Sequence, residues 1–92
     1  MKKNRKAQKE YFENHQYCES CGKIPDEVHE ILHGSRRNFE QWNMIALCRT
    51  CHERAHGRAA NHGPKITKRM LFTIKKLNGH ELPAEIIREY DV

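Results

Sequence analysis

Two matched pairs of cysteines carry the clearest chemistry in this chain: Cys18-x-x-Cys21 and Cys48-x-x-Cys51. Two thiolates from each of two knuckles make the tetrahedral sulfur set that structural Zn²⁺ prefers. Zinc bound in this way contributes folding free energy directly, so the metal-free chain is expected to be largely unfolded. The competing readings are a pair of redox CxxC motifs or plain buried thiols. The basic start of the chain is not followed by an apolar run, so it does not read as a secretory signal. The expected compartment is a reducing cytoplasm, where paired CxxC motifs signal metal rather than disulfides.

Histidines make a second constellation. Cys51 is followed directly by His52, and His56 lies four residues on. Residues i and i+4 of a helix share a face, so two imidazoles can meet one cation. His29, upstream, can supply a third ligand across the fold. Three protein ligands with positions left open is the arrangement of a catalytic metal, not of a closed structural one. Taken singly, His52 reads as a spare ligand or surface residue and His56 as a helix C-terminal charge.

The elements that must position these residues can be read in outline. Residues 5–16 predict a helix with Ala7, Tyr11 and Phe12 as its apolar stripe. Gly22 supplies the open backbone that the first knuckle needs. Residues 27–33 alternate as a strand, and residues 43–47 form a second, giving a hairpin with a long basic connection over residues 34–40. Thr50 and Glu53 read as a capping box for a helix starting just after Cys48, with Gly57 as its stop. Pro64 opens a further helix carrying Ile66, Met70, Ile74 and Leu77 as core or dimer seam, ended by Asn78-Gly79. Pro83 opens a last short helix with Ile86, Ile87 and Tyr90. The segment 57–63 is the expected joint. The class is a small metal-bound α+β domain spanning 1–92: a basic arm over 1–17, a core over 18–57 and a helical extension over 64–92.

The run Val28-His29-Glu30-Ile31, then Gly34, then Asn43-Met44-Ile45-Ala46-Leu47-Cys48-x-x-Cys51-His52-x-x-x-His56, resembles the HNH endonuclease family with its ββα-metal fold. The preceding Cys18-x-x-Cys21 resembles the four-cysteine, zinc-bound subgroup common in phage and bacterial proteins. The resemblance covers about residues 18–57, and its second half is the more specific. It implies a metal-dependent endonuclease hydrolysing phosphodiester bonds of DNA, expected to be double-stranded. Carried over residue by residue, it puts a catalytic metal (Mg²⁺, Mn²⁺, Ni²⁺ or Zn²⁺) on His29, His52 and His56. It makes Asn43 the brace of the hairpin loop that helps orient the general base. The family has a second His as that base, where this chain has Glu30. A carboxylate, with a reference pKa of about 4.3 against about 6.5 for imidazole, is the weaker base. His33 is the other candidate, though along a regular strand it lies roughly 13 Å from His29.

Charge suits a polyanion partner. The net charge is +5, and residues 1–9 hold five basic residues without an acid. From Arg54 to His80 there are seven basic residues and no acid, whereas Glu81, Glu85, Glu89 and Asp91 follow against a single Arg88. Arg36 or Arg37 in the hairpin loop can clamp a phosphate bidentately. Lys65, Lys68, Arg69, Lys75 and Lys76, with Lys2, Lys3, Arg5 and Lys6 on the arm, are expected to neutralise backbone phosphates. No apolar stretch is long enough to span a membrane. The alternatives are a zinc-stabilised DNA-binding module without catalysis, and an interaction module. The latter would use its acidic tail to dock on a phage packaging machine or would pair with a second copy.

Overall fold

A computed structural model describes residues 5–57 and 63–92. The order is α1 (Arg5–Asn14), β1 (Glu27–Glu30), β2 (Met44–Leu47), α2 (Arg49–Ala55), α3 (Lys68–Leu77) and α4 (Ala84–Tyr90), with single 3-10 turns at Gly34–Arg36 and Gln41–Asn43. The strands form an antiparallel pair in which Glu27 faces Leu47, Val28 faces Ala46, His29 faces Ile45 and Glu30 faces Met44. Among the described residues the fold is therefore α+β, one two-stranded sheet and four α-helices. No helix among them is long and apolar enough to cross a membrane.

All four residues of β2 are buried, because both faces of the sheet are covered. Side chains alternate along a strand, so Met44 and Ala46 point one way and Ile45 and Leu47 the other. The first pair packs with Tyr11, Ala7, Val28 and Phe39, beneath α1. The second pair joins Ile31, Leu32, Ile66, Leu71, Phe72, Ile86 and three of the cysteines in the larger core. Phe72 anchors that core, its ring 5.0 Å from Tyr90 and 6.2 Å from Trp42.

Four sequence expectations change. The strand expected over 27–33 stops at Glu30, and Ile31 and Leu32 are both buried in succession, so the two-fold alternation ends there. The helix after Cys48 starts where expected, but Cys48 itself is the cap, its Sγ accepting the N–H of Cys51; Thr50 lies inside the first turn. The third helix opens at Lys68 rather than Pro64, because the Thr67 hydroxyl accepts the Met70 N–H and satisfies an end that the Gly-Pro segment leaves open. That shift rotates the buried face to Leu71, Phe72 and Lys75, and leaves Met70 and Leu77 exposed. Ile66 still enters the core, but from the extended segment before the helix, where its N–H donates to Arg54 O. Lys2, Lys3 and most of the expected 57–63 joint lie outside the described residues.

Candidate metal centres and their cleft

The cysteine knuckles meet at the junction of β2 and α2. Gly22, at φ 82°, turns the first knuckle so that its N–H returns to Cys18 O at 2.8 Å, and Glu19 N donates to Ala46 O of β2 at 2.9 Å. The second knuckle is the last residue before α2 and its first turn. The four sulfurs lie within 4.8 Å of one another, and no disulfide joins them. Sγ of Cys21 and Sγ of Cys48 are 3.6 Å apart. Two Zn–S bonds of ~2.3 Å at a tetrahedral angle place sulfurs ~3.8 Å apart, so the donor set fits a four-coordinate metal. Burial would push the Cys18 thiol up, but backbone hydrogen bonds from Cys48, Cys21 and Ser20 outweigh it and bring it down to about 7. Burial pushes two of the other knuckle thiols the opposite way, Cys51 up to about 12 and Cys21 upward, so it is a bound cation that would hold all four as thiolates.

The histidines converge on the other side of α2. His29 lies on β1 opposite Ile45, on the face turned toward α2, while His52 and His56 stand one turn apart on that helix. Their ring centroids are 5.0 Å (His29–His52), 5.0 Å (His29–His56) and 4.6 Å (His52–His56) apart. Nε2 of His52 and Nε2 of His56 are 2.9 Å apart. Two ligating nitrogens at ~2.0–2.1 Å from one tetrahedral ion are separated by ~3.3 Å, so this set also fits a metal. Gly57, in the left-handed region at φ 72°, ends the helix directly after His56. His29 is buried, and that burial, with the charges of His52, His56, His33 and Lys68 around it, pulls its pKa down to about 3. It is therefore neutral, the form that ligates.

One contributor escaped the sequence reading. The Glu27 carboxylate contacts Nδ1 of His52, which leaves Nε2 of that ring for a metal. A carboxylate behind a ligand histidine fixes its tautomer and raises its basicity. The signal was present: Glu27 stands two residues before His29, on the same face of the strand.

A cleft opens over the imidazoles, walled by Glu27, Val28, Glu30, His33 and Arg37. A contiguous one shares His29, His33 and His56 and adds Lys65 and Lys68. Glu30 follows His29 but projects from the opposite face of β1, where Gln8 of α1 donates to its Oε2 at 2.5 Å and Arg37 Nε lies 3.4 Å from its Oε1. His33 reaches the same cleft because the strand ends at Glu30; the long separation expected for a regular strand does not apply. Asn43, fully buried, spans the hairpin loop: its Oδ1 accepts Leu32 N at 2.8 Å, and its Nδ2 donates to Leu32 O and Asn38 O at 3.0 Å each.

The basic residues divide. Arg37, Lys65 and Lys68 border the clefts. Arg36 is instead held bidentately by Glu89 of α4 at 2.7 and 2.8 Å, and Arg69 faces Asp91 at 3.8 Å. Lys76, Arg5 and Lys6 are exposed. Lys75 departs furthest from expectation. It is fully buried, donates to the Tyr11 hydroxyl and lies 3.5 Å from Oε1 of Glu19. Burial pulls its pKa down to about 8 against the opposing pull of Glu19. It is a core residue and meets no phosphate. Reading the stripe as Met70-Ile74-Leu77 put Lys75 on the solvent face; a buried acid from a distant knuckle reverses this.

Comparison of the chain with protein families, with curated proteins and with solved structures finds no match.

Proposed function

We propose that this chain is a metal-dependent endonuclease of the HNH type, acting on double-stranded DNA, with a structural zinc on Cys18, Cys21, Cys48 and Cys51. One observation carries the reading: His29 from β1 and His52 and His56 from α2 converge at the floor of an open cleft, with Glu27 behind His52. A module that only binds has no use for three converging imidazoles open to solvent on one side. The order β1–β2–α2, with ligands on the first strand and on the helix, is also what a ββα-metal core requires.

A divalent cation bound there would polarise the scissile phosphate and stabilise charge on the leaving oxygen. The chain's own groups do the rest. Lys65, Lys68 and Arg37 attract and hold the phosphate at the cleft rim. Glu27 keeps the His52 ring in one tautomer. Asn43 fixes the loop from which His33 and Arg37 reach the cleft. Glu30, on the cleft wall, stands where the resemblance puts the proton acceptor for the attacking water, and His33, which reaches the same cleft, is the alternative.

The test is plasmid cleavage by the purified protein with Mg²⁺, Mn²⁺, Ni²⁺ or Zn²⁺, against a His52→Ala control. Metal-dependent nicking or linearisation lost in the control supports the reading. No cleavage with any of the four metals refutes it. A second reading, a zinc-stabilised DNA-binding module without catalysis, draws support from Glu30, whose two oxygens are already engaged by Gln8 and Arg37. It predicts DNA binding without cleavage.

A further inference from the structure

A third group of metal-ligating side chains lies apart from both centres. His15 follows the end of α1, Glu19 sits in the first cysteine knuckle, and His80 follows α3. One donor atom from each lies within 4.8 Å of the other two. We infer that His15, Glu19 and His80 form a third metal site, which takes a transition ion such as Zn²⁺.

Two independent features favour a ligand here over a plain ion pair. The first is Glu19. Its side chain is 6% exposed, and its Oε2 is satisfied by the Tyr11 hydroxyl at 2.6 Å and Ala46 N at 2.7 Å. Its Oε1 is buried without a hydrogen bond, with Lys75 Nζ at 3.5 Å and His80 Nε2 at 3.6 Å as ion-pair partners. Buried carboxylate oxygens are seldom left so. The second is His15. Its Nδ1 is 2.8 Å from Tyr11 O, which can only accept, so Nδ1 is the donor and Nε2 is the nitrogen left to face a ligand. Its ring stacks on Tyr11 with centroids 3.8 Å apart. A ring N–H given to a backbone carbonyl is the support that ligand histidines have in metal sites.

The donor set also selects the ion. One carboxylate and two imidazoles do not make the oxygen shell of six or more that Ca²⁺ or Mg²⁺ takes. The Lys75 ammonium, close to the same oxygen, opposes any ion held by charge alone. Ions that bond strongly to imidazole overcome that repulsion, and Zn²⁺, Ni²⁺ and Co²⁺ are of that class. Three protein ligands leave a fourth position for water. Because Glu19 adjoins Cys18, an ion here would brace the zinc knuckle against α1 and the segment after α3.

The probe is Zn²⁺, added to the full-length protein with its cysteine site loaded and the cleft emptied by His52→Ala and His56→Ala. Equilibrium dialysis should find two zinc ions per chain, falling to one when His15→Ala and His80→Ala are added. In the unsubstituted protein, imidazole ¹H–¹⁵N spectra should show the His15 and His80 nitrogens shifting as zinc is added, a readout that needs no variant to fold. One zinc per chain in the cleft-emptied protein, with the His15 and His80 signals unmoved in the unsubstituted one, overturns the site. So does a second zinc that survives loss of both imidazoles. A failed cleavage assay would leave these outcomes untouched.

Discussion

The Glu27 carboxylate lies against Nδ1 of His52, and Nε2 of the same ring faces Nε2 of His56 across 2.9 Å. Under the proposed function, two strand residues would serve one metal position, His29 as ligand and Glu27 as support. Glu27→Gln is expected to weaken metal binding at the histidine site about 10–100-fold while the cysteine zinc stays bound. Metal titration of the zinc-loaded protein checks this; an unchanged affinity would mean that Glu27 is an ordinary surface partner.

Three members of the four-cysteine cluster, Cys18, Cys48 and Cys51, are buried in the core, where a bound metal would cross-link it. Cys18→Ser or Cys51→Ser should leave the domain largely unfolded, because three thiolates forfeit much of the metal's contribution to folding. Circular dichroism and zinc content read this directly. A cooperatively folding, zinc-free variant would contradict the structural role.

Lys75 and the rim lysines should separate cleanly. With no ion on His15, Glu19 and His80, Lys75→Met leaves the Glu19 carboxylate buried without its cation and should cost about 3–5 kcal/mol in denaturant unfolding. Replacing Lys65 and Lys68 together by Gln should change stability little. It should reduce the steepness of the salt dependence of duplex DNA binding by about 0.9 for each phosphate that is no longer neutralised. A salt slope unaffected by the double substitution would move the DNA to another face.

His29 makes stability depend on acid. In the unfolded chain it takes up a proton near its ordinary value of about 6.5, whereas in the fold it stays neutral down to about 3. Between those values the unfolded state binds the extra proton, so stability is lost as pH falls, by up to about 1.4 kcal/mol per pH unit. Acid unfolding of the wild type and of His29→Gln, compared from pH 7 to 4, should show the difference between them shrinking as pH drops. A constant difference would mean that His29 does not titrate this way.

Glu30 and His33 both reach the cleft, and their roles separate by substitution. With Glu30 as proton acceptor, Glu30→Gln should lose about 10²–10⁴-fold in cleavage at saturating metal. Glu30→His should keep or gain activity and acquire an acidic limb near pH 6.5. Should Glu30→Gln cleave as well as the wild type while His33→Ala does not, the base is His33.

What the sequence determined by itself was local. Two CxxC knuckles, a histidine pair at i and i+4, a short apolar run flanked by turn residues, and Asn78-Gly79 after a helix are each fixed within a few residues. Backbone geometry turns such spacings directly into shape. The four-cysteine cluster and the pairing of His52 with His56 were legible for that reason, as was the two-stranded hairpin with helices on both flanks. Only the tertiary structure decided which polar groups share a buried environment. Lys75 reads as a solvated charge on its own helix, and it is interior because Tyr11 and Glu19, 64 and 56 positions away in the chain, meet it there. Arg36 reads as a phosphate clamp until the fold sets Glu89 beside it. The start of α3 turned on whether Thr67 or Pro64 would supply the end, and the burial of Leu71 and Phe72 fits Thr67. In each case the choice depends on the cost of burying a charge or a backbone group, and a partner far away in sequence sets that cost.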